Sequence, residues 1–285
     1  MNIIGRPNVG KSTLMNAMVG QKLSIITSKA QTTRHRIHGI VNTPDYQVVF
    51  SDTPGILEPE YKLQENMLKA ARSALVDADV LLYMTEAGMK PDEENDFIRR
   101  LQKSRVPVLL VINKIDLSNQ EKVTKAISLW QEVLPKAEII PISALEKFNV
   151  DRVYKRIIEL LPESPPYYPK DALTDKSERF IAGEMIREKI LMQYKQEIPY
   201  AVEVEIESFK EDSKLIRISA VIYVERESQK GILIGNGGKA LKRVGREARL
   251  DMEAFFVKKI FLEMKVKVNR DWRNSERQIK KFGYH

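Results

Sequence analysis

The run Gly5-Arg6-Pro7-Asn8-Val9-Gly10-Lys11-Ser12 spaces two glycines, a lysine and a hydroxyl as phosphate chemistry requires. Glycines let the backbone turn tightly enough for several N–H groups to face one anion, and the positive end of a following helix adds to their field. Lys11 then reaches the terminal phosphates and the Ser12 hydroxyl is a magnesium ligand, with Thr13 the next expected nucleotide contact. Such a loop does not choose between ATP and GTP. Asn113-Lys114-Ile115-Asp116 does: the Asp116 carboxylate can accept from the guanine ring N–H and its amine, whereas adenine would leave it unpaired at high cost.

Between the two lies Asp52-Thr53-Pro54-Gly55. Asp52 can hold magnesium through water, and the Gly55 N–H can sense a γ-phosphate. Upstream, Gln31-Thr32-Thr33-Arg34 offers a hydroxyl to the metal once GTP is bound; taken alone, a threonine pair is usually just a loop. Downstream, Ile142-Ser143-Ala144 offers backbone N–H groups to the guanine carbonyl.

These segments need elements that bring them together. Apolar runs at Met1–Ile4, Arg36–Val41, Gln47–Ser51, Val80–Tyr83, Val106–Ile112 and Glu138–Pro141 read as strands. Helical patterns at Ser12–Val19, Asn66–Val76, Glu93–Lys103, Lys122–Val133 and Val150–Leu161 alternate with them. That order predicts an α/β domain with a mostly parallel sheet covered on both faces. Leu161–Lys170 then breaks the pattern with four prolines and is expected to be a semi-rigid linker. The expected division is a nucleotide domain over 1–162, a linker over 163–175, an α+β domain over 176–271 and a basic tail over 272–285.

The second half reads as a helix (Lys176–Gln193), two strands (Ala201–Phe209, Ile216–Val224), two helices around glycines and a strand (Lys259–Val268). Ile234-Gly235-Asn236-Gly237-Gly238 is followed by Lys239, Lys242, Arg243, Arg246 and Arg249. A G-x-x-G loop lets a nucleic-acid backbone approach closely, and basic neighbours contact its phosphates. Ile232, Ile234, Leu241 and Val244 either line a base groove or belong to the core. Trp272 either extends a basic surface with Arg273, Arg277, Lys280 and Lys281 or anchors packing.

Of the net charge of +8, residues 1–175 carry +1 and 176–285 carry +7, and Gln229–Lys281 alone carries 15 basic against 6 acidic side chains. That excess is either a polyanion footprint or a solvated face. The absence of cysteine excludes disulfides, thiolate zinc sites and cysteine nucleophiles, and His35, His38 and His285 are too few for a metal cage. No secretion signal opens the chain, and Val106–Ile112 is far short of the ~20 apolar residues that span a bilayer, so a soluble cytoplasmic protein is expected.

GRPNVGKS, QTTRH, DTPG, NKID and ISA, in this order, resemble the translation-factor-related GTPases, and the first three are similar to the Era branch of the TrmE-Era-EngA-like family. The order of helix, strand, strand, helix, GxxG, helix and strand resembles a type II KH domain, the module that branch carries after its linker. The resemblance covers essentially the whole chain, although only four residues precede the loop. It implies a P-loop GTPase with Mg2+ and GTP or GDP, Thr33 as metal ligand beside Ser12 and Asp52, and Lys11, Asn8 and Gly55 in catalysis. It also implies binding of the single-stranded 3′ end of small-subunit (16S) ribosomal RNA during assembly of the small ribosomal subunit.

Ile56 stands where many small GTPases carry a water-orienting glutamine, so slow intrinsic hydrolysis is expected. Asn8 matches an asparagine with which related GTPases hold potassium; it either does so here or merely shapes the loop. Competing classes are a constitutive RNA binder with a structural nucleotide domain, a GTPase peripheral on the inner membrane face, and a small-molecule phosphotransferase, least favoured because no acceptor-substrate constellation is evident. The expected state is a monomer.

Overall fold

In the computed structural model of the protein, all residues are described except 94 and 285. Glu94 falls in the helix expected over 93–103 and His285 at the end of the tail, so both expectations lie outside the described residues there. The chain divides into two compact units: 1–24, 33–59 and 64–175 form one, and 25–32, 60–63 and 176–285 the other.

The first unit runs β1 (Asn2–Gly5), α1 (Lys11–Val19), β2 (Ile37–Asn42), β3 (Gln47–Asp52), α2 (Lys62–Ser73, of which residues from 64 on belong here), β4 (Leu81–Glu86), α3 (Asp96–Gln102), β5 (Val108–Asn113), α4 (Gln120–Val133), β6 (Glu138–Pro141) and α5 (Val150–Leu160). Its sheet order is β2-β3-β1-β4-β5-β6, parallel except for the antiparallel β2–β3 pair. β1 sits inside the sheet, and all four of its residues are buried. The register sets Ile3 opposite Asp52, Gly5 opposite Met84, Glu86 opposite Asn113 and Ile112 opposite Pro141. Each motif therefore leaves the same edge of the sheet, outside the carboxyl ends of its strands, where open α/β sheets hold ligands.

The proline-rich segment is more than a spacer. It runs as a strap along the outer edge of β2, where the Ile40 N–H donates to Leu173 O at 2.8 Å and Asn42 Nδ2 to Ala172 O at 2.9 Å. Gln47 fixes its middle, accepting from the Tyr167 and Tyr168 N–H groups and donating to Tyr168 O at 2.8 Å. Covering an edge strand removes a template for unwanted pairing, and proline suits such an edge because it needs no donor.

The second unit contains α6 (Glu178–Gln193), α7 (Ile198–Ala201), β7 (Glu203–Glu211), β8 (Leu215–Val224), α8 (Glu227–Ile234), α9 (Lys239–Phe256), β9 (Lys259–Val268) and α10 (Glu276–Lys281). Its sheet is β7-β8-β9, with β8–β9 parallel. Ile186, Ile190, Ile218, Ile222, Leu233, Val244 and Met252 form its core. Trp272 belongs to packing rather than to a basic surface: it is fully buried, its indole donates to Ala201 O at 2.9 Å, and Phe282 meets it edge-on. Among the described residues no helix is long and apolar enough to cross a membrane.

Val257, between α9 and β9, has φ 52 and ψ 36 and is 88% exposed. A β-branched residue is strained in the left-handed region, and no packing compensates it. Val257→Asn is expected to stabilise the second unit by about 1 kcal/mol. A shift of its chemical-denaturation midpoint to higher denaturant would show this, and an unchanged or lower midpoint would count against it.

Candidate nucleotide site and basic glycine loop

α1 starts at Lys11 because Gly10, at φ 102, turns the chain where a Cβ would lie 2.2 Å from Asn113 Nδ2. Lys11 is 6% exposed and donates Nζ to Gly5 O at 3.1 Å and to Arg6 O at 2.9 Å. Burial pulls its pKa down to about 8, against the opposing pull of Asp52. Asp52 is fully buried, and burial raises its pKa despite bonds from Ser12 and Thr33 and the charge of Lys11.

Ser12, Thr33 and Asp52 converge. Ser12 Oγ donates to Asp52 Oδ2 at 2.6 Å and lies 2.8 Å from Thr33 Oγ1, which is 3.3 Å from the same carboxylate oxygen. Asp52 Oδ1 is buried with no protein partner. Two hydroxyls and a carboxylate with an orphaned oxygen fit Mg2+, a hard cation that takes few protein ligands beside substrate phosphates. Among the described residues no group of three His, Cys, Asp or Glu could hold a metal. Of the adjacent threonines, only Thr33 faces this cluster, because the Thr32 hydroxyl bonds Thr27 Oγ1 and Lys29 O.

Gly55 packs on the loop: a Cβ there would meet Pro7 Cα at 2.7 Å. Ile56 donates its N–H to Gly5 O at 3.1 Å while its side chain packs on the core. Thr53 Oγ1 donates to Ile3 O and supports β1. Asn8 adopts φ 64, a conformation asparagine tolerates. Val9 is buried and Arg6 leans on Asp92 at 3.7 Å.

The guanine segment is held by its own hydrogen bonds. Asn113 Nδ2 donates to Val9 O at 2.8 Å, and its Oδ1 accepts the Ala144 N–H at 2.9 Å. The Ser143 N–H donates to Phe148 O at 3.2 Å. The three N–H groups of Ile142, Ser143 and Ala144 thus each have a partner within the protein, Ile142 bonding Ile112 O at 2.8 Å. Buried N–H groups demand partners, and the hairpin at Ser143–Phe148 and the Asn113 amide provide them. Asn113 ties the phosphate loop to the 142–144 loop, which sequence spacing alone does not reveal. Asp116 stays exposed, in a short 3-10 turn that also holds Ile115, and Lys114 pairs with Glu86 at 2.5 Å.

In the second unit, α8 ends on Gly235, where a Cβ would lie 2.6 Å from that of Ala240. Gly237 (φ 58) and Gly238 (φ 76) face open space within 4 Å, and Asn236 is exposed. Lys239, Lys242 and Arg246 follow on α9, all exposed and on one face by their spacing. Val244 is core, Leu241 packs against that core, Ile234 is half-buried and Ile232 is 53% exposed.

The basic excess is smaller in space than in sequence. Lys258, Lys267, Arg273 and Lys281 meet Glu211, Glu207, Glu225 and Glu205, and Arg249 and Lys259 share Glu253. Arg243 donates to Gln193 Oε1 at 2.9 Å. Among the described residues Lys239, Lys242 and Arg246 have no acidic partner, and they stand beside the glycine loop.

Residues 1–114 match a family described as 50S ribosome-binding GTPase, and 197–273 match the KH domain. The chain is 46% identical to GTPase Era of Alkaliphilus metalliredigens (strain QYMF), spanning 100% of this chain and 97% of that one. It is also 46% identical to GTPase Era of Geotalea daltonii, spanning 100% and 96%. Among solved structures it is similar to Era in complex with MgGDPNP and nucleotides 1506–1542 of 16S ribosomal RNA, with TM-score 0.94 and 40% identity over 99% of this chain and 97% of that chain. A point variant of Aquifex aeolicus Era bound to GDP.AlF4- gives TM-score 0.94 and 39% identity over the same shares.

A phosphate beside Lys11 draws its pKa back up from about 8, so nucleotide binding takes up a proton above that pH. GDP affinity is then expected to fall above pH 8, by up to about tenfold per pH unit. Calorimetric titrations from pH 7 to 9.5 in buffers of different ionisation heat would show the uptake. A constant affinity with no proton exchange would contradict it.

Proposed function

This chain belongs to the Era family of GTPases, and on that premise we propose that its nucleotide state governs engagement of the 3′ end of small-subunit ribosomal RNA during assembly of the small ribosomal subunit. The observation that carries the RNA half is the glycine loop: open space over Gly237 and Gly238 beside the uncompensated Lys239, Lys242 and Arg246. A phosphodiester backbone can lie on those glycines while the three cations meet its phosphates. Ile234, Asn236 and Arg243 complete the proposed contact set. A membrane-surface role ranks second, because the opposite-charge pairs over β7–β9 leave few cations for anionic lipid. The proposed functional division is a GTPase domain over 1–162, a strap over 163–175, a KH domain over 176–271 and a tail beyond, in a cytoplasmic monomer.

Within the GTPase domain, Gly5 to Thr13 surround the phosphates, with Lys11 against the terminal ones. Ser12, Thr33 and Asp52 hold Mg2+, which neutralises phosphate charge when bound. Gly55 senses the γ-phosphate with its N–H, and Asp116 reads guanine together with Asn113, Ser143 and Ala144, the Asn113 amide also tying the surrounding loops together. Ile56 has no group that can bond water, so the attacking water must be oriented by others. The exposed Asn8 supports assistance by K+, whose charge at the phosphates would substitute for an arginine.

Two measurements test this reading. Three phosphate contacts to a single strand give a salt slope near −2 in log K against log salt, whereas a contact set matching the full +9 excess gives roughly −6. Lys242→Ala is expected to flatten the slope by about 0.7, and acidic residues at Asn236 and Gly237 to abolish RNA affinity while GTP binding persists. RNA affinity that survives the acidic pair would remove the loop from the site. For the cation, turnover with RNA present is expected to be faster in potassium than in sodium chloride, and equal rates would exclude a role for K+.

A further inference from the structure

α6 ends on Gln193, with Tyr194 as its cap, and these two residues reach both helices that flank the glycine loop. Tyr194 Oη donates to Leu233 O at 2.7 Å, two residues before Gly235. Gln193 Nε2 donates to Glu247 Oε2 at 2.6 Å, and its Oε1 accepts from Arg243 Nε at 2.9 Å, both on α9. The last carbonyls of a helix have no partner in their own helix. The Leu233 carbonyl is such a group on α8, and the Tyr194 hydroxyl satisfies it.

The end of α6 has the same deficit, and Lys29 fills it. Its Nζ donates to the carbonyl oxygens of Leu191 and Tyr194 and sets a positive charge at a negative helix end. Lys29 thus holds Tyr194 by the backbone, while Tyr194 holds Leu233 by the side chain. Higher on α6, Glu188 Oε1 accepts the Ile26 N–H at 3.1 Å and Arg187 donates to the Thr32 carbonyl. The next residue in the chain is Thr33. Nucleotide-dependent placement of Thr33 therefore acts on the very segment that contains Lys29.

We propose that Lys29 and Tyr194 are positioning residues for the RNA-binding loop, passing the placement of segment 25–32 to the turn at Gly235–Gly238. This rests on the reading that the loop binds RNA under nucleotide control. A purely structural cap would weaken RNA binding equally in both nucleotide states. A positioning pair alters the ratio between them.

The test uses the full chain and labelled RNA of nucleotides 1506–1542 of 16S ribosomal RNA, the segment in the related solved complex. RNA affinity is measured with saturating Mg–GDP and with Mg and a non-hydrolysable GTP analogue. The wild-type affinities are expected to differ by about fivefold or more, the usual lower range of coupling between sites. Lys29→Met and Tyr194→Phe are each expected to bring that ratio to within about twofold of one, and Lys29→Arg, which keeps charge and donors, to retain it. Tyr194→Phe strands a buried carbonyl; should it fail to fold, Lys29→Met on its half-buried segment still decides the matter. A ratio unchanged in the variants overturns the inference and leaves nucleotide-controlled RNA binding standing. A ratio of one in the wild type overturns both.

Discussion

Lys11 and Asp52 are buried together, and the nucleotide site is built around that constraint. Burying a charge is costly unless it is paired and bonded, and each of these groups is only partly so. Lys11 leans on two carbonyls, and Asp52 keeps one oxygen without a partner. Burial pushes both toward neutrality, the lysine down to about 8 and the carboxylate up. A phosphate beside one and a divalent cation beside the other reverse both shifts, so the fold keeps a site whose electrostatics improve on binding. That requires β1 and β3 to be neighbours, because only the Ile3–Asp52 register brings the carboxylate beside the loop after β1.

The phosphate and guanine motifs were legible because their chemistry is local. Glycine at a left-handed turn, lysine one residue later and a hydroxyl after that have few other uses together. Strands were equally legible where apolar runs are short and bounded, and β6 and β9 begin and end where the alternation does. What could not be read were bonds across long sequence separations. Asn113 belongs to the guanine motif, yet its amide is spent on Val9 and Ala144, 104 and 31 residues away. The strap that Gln47 pins 120 residues downstream escaped for the same reason.

In the second unit the sequence overstated the basic field for one physical reason. A window along the chain omits the acids of β7, and it is those acids that face lysines of β9 and α10. Trp272 was ambiguous because indole suits either an interface or a core, and only the Ala201 carbonyl decides between them. α7 and α10 went unread, being four and six residues long, too short for a periodic pattern to build. On α6, Glu184, Arg187, Glu188 and Lys189 are all buried, which a helix assignment over Lys176–Gln193 alone does not reveal.

Those buried charges give segment 25–32 a preformed polar surface to bond. Glu184 bonds Arg187 with both carboxylate oxygens, and although burial alone would lower the Arg187 pKa, that partner keeps it raised and the guanidinium charged. The guanidinium therefore persists on α6 whether or not the Thr32 carbonyl sits on it. The segment itself is attached by hydrogen bonds at Ile26, Lys29 and Thr32, and each such bond is worth only about 0.5–1.5 kcal/mol net because water replaces it. Their sum is a few kcal/mol, the gap over which a ligand can shift a two-state element. An apolar contact of similar area would cost more to open and would expose a surface prone to association. Residues 26–32 are thus held mainly by polar bonds to a preformed, charge-satisfied helix, while Ile25 at the start of the segment is a buried apolar residue.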